Sequence, residues 1–565
     1  MKIPFAKTTT IVGGKTRNKM IFIRQPTLLL ALLALLVITV GGCTSIRGKN
    51  HRPALARGDN VVPQSRSRMW NTNSAYADQI NELWAHTPPG DWYSKGKGDS
   101  PRVLLARMTT RYQIEEVNDY LLGIKPWGTS GSTWSRHPKG DYDFTITVLT
   151  TLLWLYGADE SRLHAATREH LLKVLLTEDG NAFRSSAPET LGLVSETENH
   201  LLMTEGSRYL KNRWLQLHGD PNPRYDNVAN SMEKKILSLI SEMQTAGFYE
   251  FNSQPYIGYT ITALLNLEAF ASVPVRASAR ELLDQMNWHY ALGSYQLRHF
   301  PPFRRRYEYA RTTALNSGYQ TVFMNAWLSF APDGFKTPGR GSDNVTHALM
   351  GVTLPYRPSD EVVKMIYDKG DGYFALLGHG RAACPEIYSA GKKFLLSAGG
   401  ANRGEGSIIV ARPITLLLDD GADDLSQVFH LAGPGTNFMA WNNTGVHKNF
   451  AVAAGPVYVP ARFTALQTNG SWKLYAPTPG VFVAVYSRAD FGLLAVFERA
   501  SADNILTSLV VANPDETQLK HTFQFPNAAK FTYDVMSLKD KWVMISAGEK
   551  KLNRNFDNWP VGKIE

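Results

Sequence analysis

The segment VSETENHLLMTEGSRYL, at 194–210, has the periodicity of a helix, but it carries polar residues where a core helix carries aliphatic ones. On a helical projection, one arc of about 100° contains Glu196, Asn199, His200, Met203 and Ser207. A carboxylate, an amide and an imidazole on one face can bind a sugar and transfer a proton. A solvated helix face would seldom include a methionine, and we therefore predict that this face lines a site.

Three other polar segments occur in the same part of the chain: WGTSGSTWSRHPKGDYDF, FYEFNSQPYIGYT and LRHFPPFRRRYEYAR. They add the candidate residues Trp127, Trp134, Asp143, Glu250, Tyr256, Tyr259 and Arg304. Taken singly, each of these residues is more typical of packing or of a solvated loop. Together they indicate a carbohydrate cleft, because aromatic rings stack on apolar sugar faces while amides and charged groups bind hydroxyls.

The elements that must position these residues change type along the chain. Residues 71–332 contain successive amphipathic segments, such as ESRLHAATREHLLKVLL, with no strand pattern between them. From about Tyr373, short β-rich runs such as GVFVAVYSRA alternate with turn residues, which is typical of antiparallel sheets. We therefore predict a multidomain chain that is first all-α and then all-β, with a helical domain at 71–332 and an antiparallel β-sandwich at 333–565.

The N-terminus has the features of an export signal. An apolar run, PTLLLALLALLVITV, follows basic residues and ends in Gly-Gly-Cys. The run is shorter than the roughly 20 residues of a membrane-spanning helix. It resembles a bacterial lipoprotein signal, which implies removal of residues 1–42, lipidation of Cys43 and a flexible tether at 43–70. The protein is then expected on a bacterial membrane, with the outer membrane or the cell surface as its location.

The basic residues are concentrated outside the predicted folded part. The formal charge of the chain is +10. Residues 1–42 contain six Lys or Arg and no acidic residue, and residues 44–70 contain six basic residues and one acidic residue. The chain from Asn71 onward is therefore nearly neutral, and its composition predicts no nucleic-acid partner. The basic tether would instead lie against anionic lipid headgroups.

Three segments carry a resemblance to a known class of enzymes: ETENHLLMTEGSRYL, YEFNSQPYIGYTITALLNLEAFA and PEIYSAGKKFLLSAGG. Through them the chain resembles bacterial polysaccharide lyases of the heparinase II/III-like and alginate-lyase-like class. The resemblance implies an incomplete (α/α) toroid followed by an antiparallel β-sandwich. It also implies a lyase that cleaves a uronic-acid-containing polysaccharide by β-elimination.

β-Elimination removes the C5 proton of a uronic acid and expels the substituent on O4. Because that proton is weakly acidic, a hydrogen-bond donor must neutralise the sugar carboxylate and a base must take the proton. The resemblance implies Asn199 as the neutraliser, with His200 as its neighbour or as the base. It implies Tyr256 as the acid and base, with Tyr259 as the second choice.

The strand-rich half is expected to supply the other wall of the cleft. We predict that His379, or the segment NTGVHKNF with His447, faces the helical residues. Arg381 stands where the resemblance would place a second histidine, so this half departs from the class. Arg381 is accordingly a candidate for binding substrate instead.

Two other functions remain open at this point. One is a glycoside hydrolase on the same scaffold, whose two carboxylates would come from Asp143, Glu196, Glu198, Glu205 and Glu250. The other is a lipoprotein that binds glycans without cleaving them. The sequence contains no P-loop, zinc-site or G-x-S-x-G pattern, and we expect neither a cofactor nor a metal.

Overall fold

A computed structural model describes residues 70–565, apart from ten internal gaps. The gaps are 96–97, 133–139, 182, 255, 306–310, 333–344, 381–384, 402–408, 434–441 and 538–540. Three residues predicted to be functional, Cys43, Trp134 and Arg381, lie outside the described residues.

The first part of the described chain is helical, as predicted. Its helices are α1 (Ala75–Ala85), α2 (Trp92–Lys95), α3 (Ser100–Thr110), α4 (Ile114–Leu122), α5 (Asp143–Tyr156), α6 (Ala165–His170), α7 (Glu198–Leu217), α8 (Met232–Ala246), α9 (Tyr256–Phe270), α10 (Val273–Gly293), α11 (Tyr319–Leu328), α12 (Val345–Thr353) and α13 (Asp360–Tyr367). The short strands β1 (Ser294–Tyr295), β2 (Arg298–His299) and β3 (Phe303–Arg304) lie between α10 and α11. The switch from helices to large sheets comes after Tyr367, later than the predicted boundary at 333.

Helices α5 and α9 form the buried centre of the helical part. All residues at 143–153 and at 257–268 are buried. Both sequences are apolar on every side, and a helix without a polar face is stable only when it is surrounded by protein. Asn266 joins the two helices, because its amide group donates to the Thr147 carbonyl at 2.8 Å and accepts from the Thr151 hydroxyl at 2.7 Å.

The two ends of the helical array are in contact. Helix α1 packs against α3 and also against α12. The backbone nitrogen of Asn71 donates to the carbonyl of Phe330 at 2.8 Å, and the Ser74 hydroxyl donates to that of Ser329 at 2.7 Å. The start of the described chain is therefore held against the end of α11.

Antiparallel sheets follow the helices. Their strands are β4 (Tyr373–Leu377), β5 (Glu386–Ala390), β6 (Phe394–Gly399), β7 (Ile409–Val410), β8 (Ile414–Leu418), β9 (His430–Leu431), β10 (Val446–His447), β11 (Phe450–Ala453), β12 (Val457–Tyr458), β13 (Gln467–Asn469), β14 (Trp472–Thr478), β15 (Val481–Arg488), β16 (Phe491–Glu498), β17 (Thr522–Gln524), β18 (Lys530–Tyr533), β19 (Met544–Ala547), β20 (Lys550–Lys551) and β21 (Lys563–Ile564), with a helix α14 (Ile505–Ala512) between β16 and β17. The predicted order of a helical half and a half of antiparallel sheets is confirmed.

Two large sheets share one hydrophobic cluster. One has the strand order β12-β9-β8-β6-β5-β4-β21, and the other has the order β10-β11-β16-β15-β14-β13. Leu396 of the first sheet and Phe450 and Val483 of the second belong to the same cluster. A smaller sheet has the order β17-β18-β19-β20. Strand β3 pairs with β7, which ties the segment between α10 and α11 to the strand-rich part.

Two glycines in the central helices provide a test of the packing. A Cβ atom on Gly258 in α9 would lie 2.5 Å from Nε2 of the buried His347, whereas a Cβ on Gly206 in α7 would have no neighbour nearer than 3.8 Å. We expect Gly258→Ala to lower the free energy of unfolding by about 1–3 kcal/mol through overpacking. Gly206→Ala should raise it by up to about 1 kcal/mol, because alanine is the better helix former. Urea unfolding measures both, and equal effects of the two substitutions would contradict this packing.

Candidate active site

The polar face predicted at 194–210 lies inside the protein. Helix α7 begins at Glu198, and the next two residues, Asn199 and His200, are 0% and 2% exposed. Met203 is fully buried beside them. This face of α7 is therefore not exposed to solvent. Its polar groups need hydrogen-bond partners within the protein or in a ligand.

Asp143 orients His200. The Nδ1 atom of His200 is hydrogen-bonded to Oδ2 of Asp143, and Oδ1 of Asp143 accepts from the backbone nitrogen of Phe144 at 2.9 Å. Burial lowers the pKa of His200, but the Asp143 carboxylate outweighs it and raises that pKa to about 9. Burial also raises the pKa of Asp143, so the buried pair holds a proton tightly, and its imidazolium form can stabilise an anion.

The ring of Phe144 brings three helices together. Its centroid lies 5.6 Å from that of His200, 6.3 Å from that of Tyr256 and 4.3 Å from that of Tyr259. The histidine and the two tyrosines come from α7 and α9, and the phenylalanine from α5. The structure therefore groups around one ring three residues that the sequence analysis named as catalytic candidates.

The two tyrosines have different surroundings. Tyr256, the first residue of α9, is half-buried, and the guanidinium of Arg305 lies 5.0 Å from its ring centroid. Tyr259 is buried, with the Arg102 guanidinium 5.8 Å and the His347 ring 4.8 Å from its ring centroid. Burial raises the pKa of Tyr259. Of the two tyrosines, Tyr256 is therefore the one whose ring has access to solvent.

Asn199 has an unused donor. Its side-chain oxygen accepts a hydrogen bond from the hydroxyl of Thr197. Its Nδ2 atom is buried and has no hydrogen-bond partner among the described residues. A buried donor without an acceptor costs about 1–3 kcal/mol, and a ligand oxygen that accepted from it would remove this cost.

Two neighbouring glutamates, the buried Glu250 and the half-buried Glu198, are connected to Tyr256 through Arg305. Glu250 forms an ion pair with Arg305, and its backbone nitrogen donates to Oε1 of Glu198 at 2.6 Å. Burial raises the pKa of Glu250 to about 7, although Arg305 opposes this shift. The charge of His200 also acts on Glu250, which places both groups in one electrostatic site. The sequence analysis did not single out Arg305, because a run of three arginines is more typical of a solvated loop.

Other predicted residues have structural partners. Trp127 is buried among aromatic rings and offers no open stacking face. Glu196 accepts from the backbone nitrogen of Ser132 at 2.9 Å and from its hydroxyl at 3.2 Å, and it thereby holds the loop before α5. The buried guanidinium of Arg304 lies 3.4 Å from the ring centroid of Tyr249.

The two histidines predicted from the strand-rich half have different locations. Nε2 of His379 lies 2.6 Å from Oε1 of Glu386, and the His379 ring stacks on Phe251 with centroids 4.5 Å apart. His379 thus packs on the segment that leads into Tyr256. The His447 ring lies 4.8 Å from that of Phe374, inside the hydrophobic cluster of the sheets. The structure therefore does not bring His447 to the other candidates.

No protein-family model and no curated protein matches this chain.

Within the part of the chain that the structure describes, His, Cys, Asp and Glu side chains form no group of three or more that could hold a metal ion. None of the described helices is long and apolar enough to cross a membrane. The residues around Phe144 are therefore the candidate active site.

Proposed function

We propose that the protein is a polysaccharide lyase that cleaves a uronic-acid-containing glycan by β-elimination. The observation that carries this proposal is that the rings of His200 and Tyr256 both lie near Phe144, while Asn199, next to His200 in α7, has an unused amide donor. Two of these groups stabilise negative charge, and the third can accept and return a proton. β-Elimination needs both functions next to each other.

The charge on His200 determines which residue is the base in this mechanism and which residues neutralise the sugar carboxylate. In this proposal Asn199 and His200 neutralise the sugar carboxylate, which makes the C5 proton more acidic. Because His200 is already protonated at neutral pH, Tyr256 is the base. The Arg305 guanidinium lies 5.0 Å from the centroid of the Tyr256 ring, next to this base. The C5–H and C4–O4 bonds break, a C4–C5 double bond forms, and the proton passes through Tyr256 to the leaving O4 oxygen.

A glycoside hydrolase is the second candidate, and the glutamate pair favours it. Glu250, with a pKa of about 7, could act as a general acid, and the adjacent Glu198 would be the second carboxylate. This reaction would add water and leave no double bond. The two proposals therefore predict chemically different products from the same glycan.

The proposed scaffold is an incomplete (α/α) toroid with a β-sandwich. The contacts of α1 with α12, and the burial of residues 143–153 in α5 and 257–268 in α9, support the toroid. The cluster shared by the two large sheets supports the sandwich. We infer that the cleft lies where His379 packs on the segment before Tyr256.

The test is a panel of acidic and neutral glycans incubated with the chain from Asn71 onward. A lyase produces an unsaturated uronate, which absorbs in the ultraviolet, whereas a hydrolase produces new reducing ends without this absorbance. Absorbance that rises only with uronate-containing glycans is expected. New reducing ends without absorbance would instead support the hydrolase, and no change with any glycan would support a binding protein.

We also propose that the protein is a lipoprotein anchored through Cys43, because the apolar run before it ends in Gly-Gly-Cys. Cys43→Ala is expected to leave an unprocessed precursor, since signal removal and acylation both require the thiol. Mass spectrometry of the membrane fraction measures the acyl chain and the cleavage site. Ser45→Ala, two residues further on, is the control and should mature like the wild type. Normal maturation of Cys43→Ala would contradict the anchor.

A further inference from the structure

Arg305 is a partly exposed cation paired with a buried anion. It follows β3, and its φ of 64° lies in the left-handed region that non-glycine residues rarely adopt. Its side chain is 34% exposed, whereas that of its partner Glu250 is 2% exposed. A ligand can therefore reach the guanidinium without first reaching the carboxylate that neutralises it.

Glu250 uses only one of its two oxygens. Oε1 pairs with Arg305, whereas Oε2 is buried and has no hydrogen-bond partner among the described residues. The charged groups that act on this carboxyl are Arg305, Glu198, His200 and Arg304. Of these, Glu198 disfavours its ionised form and the three cations favour it. Burial and these charges together leave Glu250 with a pKa of about 7, so it can gain or lose a proton near neutral pH.

We propose that Arg305 is the specificity-determining residue that binds the carboxylate of the substrate, and that the sugar displaces Glu250 from it. The inference rests on the proposed lyase function, in which the substrate is a uronate. Arg305 lies over the ring of Tyr256, so a uronate at Tyr256 meets this guanidinium at the site. Arginine is suited to this role, because its planar fork donates two parallel hydrogen bonds to a carboxylate.

The displacement of Glu250 from Arg305 by the sugar carboxylate, called the exchange below, changes the protonation of Glu250. Glu250 loses its direct counter-charge when Arg305 turns to the sugar, and a buried carboxylate without a partner is less stable than a neutral carboxyl. Glu250 therefore takes up one proton from solvent as the uronate binds. Binding should accordingly weaken as pH rises above about 7, because Glu250 must then be protonated at a growing cost.

Calorimetric titration of the full-length protein in detergent tests the exchange. The protein carries Tyr256→Phe, which keeps the ring under Arg305, and the probes are oligosaccharides of alginate, polygalacturonate and hyaluronan. Titrations at pH 8 in phosphate and in Tris give the number of protons taken up, since the two buffers differ in ionisation enthalpy. We expect uptake of most of one proton per bound uronate oligosaccharide. Adding Glu250→Gln should abolish the uptake without weakening binding.

Three further variants complete the design. Arg305→Gln should weaken uronate binding at least about tenfold, and Arg305→Lys, which keeps the charge without the fork, should restore part of the affinity. Glu169→Gln is the matched control, because Glu169 is an exposed glutamate paired with Lys173, and it should leave proton uptake unchanged. Binding without proton uptake, or full affinity in Arg305→Gln, would overturn the exchange.

The wild-type protein separates this inference from the proposed function. If it releases an unsaturated product but its Tyr256→Phe form takes up no proton on binding, only the exchange is wrong. If none of the three oligosaccharides yields an unsaturated product or binds, the lyase proposal itself fails and the exchange fails with it.

Discussion

Replacing Tyr256 with phenylalanine is expected to lower the kcat of β-elimination by a factor of about 100 to 10,000. The substitution removes only the hydroxyl that takes the C5 proton and returns it to the leaving oxygen. The ring, its contact with Phe144 and its place under Arg305 are all retained. KM and the midpoint of thermal unfolding should therefore stay close to the wild-type values. Initial rates of ultraviolet absorbance increase over a range of glycan concentrations separate kcat from KM.

Tyr249→Phe is the matched control for this variant. Tyr249 is an exposed tyrosine whose ring also lies next to an arginine, Arg304, at 3.4 Å. Loss of its hydroxyl should leave kcat within about twofold of the wild type, because the Tyr249 hydroxyl has no part in the proposed proton transfer. A Tyr256→Phe protein that is as active as Tyr249→Phe would remove Tyr256 from the mechanism. Tyr259 would not replace it, since its ring is buried next to Arg102.

Asp143→Asn is expected to have the second large effect, on both stability and rate. In the wild type, Asp143 raises the pKa of His200 from 6.5 to about 9 in the folded state. A raised pKa means that the folded state holds the proton more tightly than the unfolded state. The resulting stabilisation, about 3 kcal/mol, is fully present below pH 6.5 and is lost as pH rises through about 9.

The variant should lack this pH dependence. Without the carboxylate, burial lowers the pKa of His200 instead, so His200 no longer contributes a loss of stability between pH 6.5 and 9. Urea unfolding at several pH values measures the difference between the two proteins. Asp159→Asn, which alters a surface ion pair with Arg162, should behave like the wild type. If the free energy of unfolding changed with pH in the same way for Asp143→Asn and the wild type, Asp143 would not hold His200 in its charged form.

The rate of Asp143→Asn should also fall, by about 100- to 1,000-fold at neutral pH. A neutral His200 stabilises the developing negative charge on the substrate less than an imidazolium does, and this range is typical for the loss of one such donor. The wild-type rate should decline as pH rises above about 9, when His200 loses its proton. Unchanged activity in the variant would mean that the charge of His200 takes no part in catalysis.

The order of the secondary structure was determined by the sequence alone. Periodicity is a local property, so repeated amphipathic segments predicted helices and short β-rich runs predicted the sheets from Tyr373 onward. The polar face of α7 was also visible, because Asn199 and His200 differ from what a core helix usually contains.

Only the tertiary structure decided what those polar groups can do. Asp143 lies 57 positions before His200, and Glu250 lies 55 positions before Arg305. No periodicity relates residues that far apart, so the charge of His200 and the neutralisation of Arg305 depend on how whole helices and loops pack. The same is true of His447, which packs inside the sheet cluster, because a histidine is chemically suited to either a cleft or an aromatic interior. Side-chain type limits the possible chemistry, but the partners that set protonation and access come from distant parts of the chain.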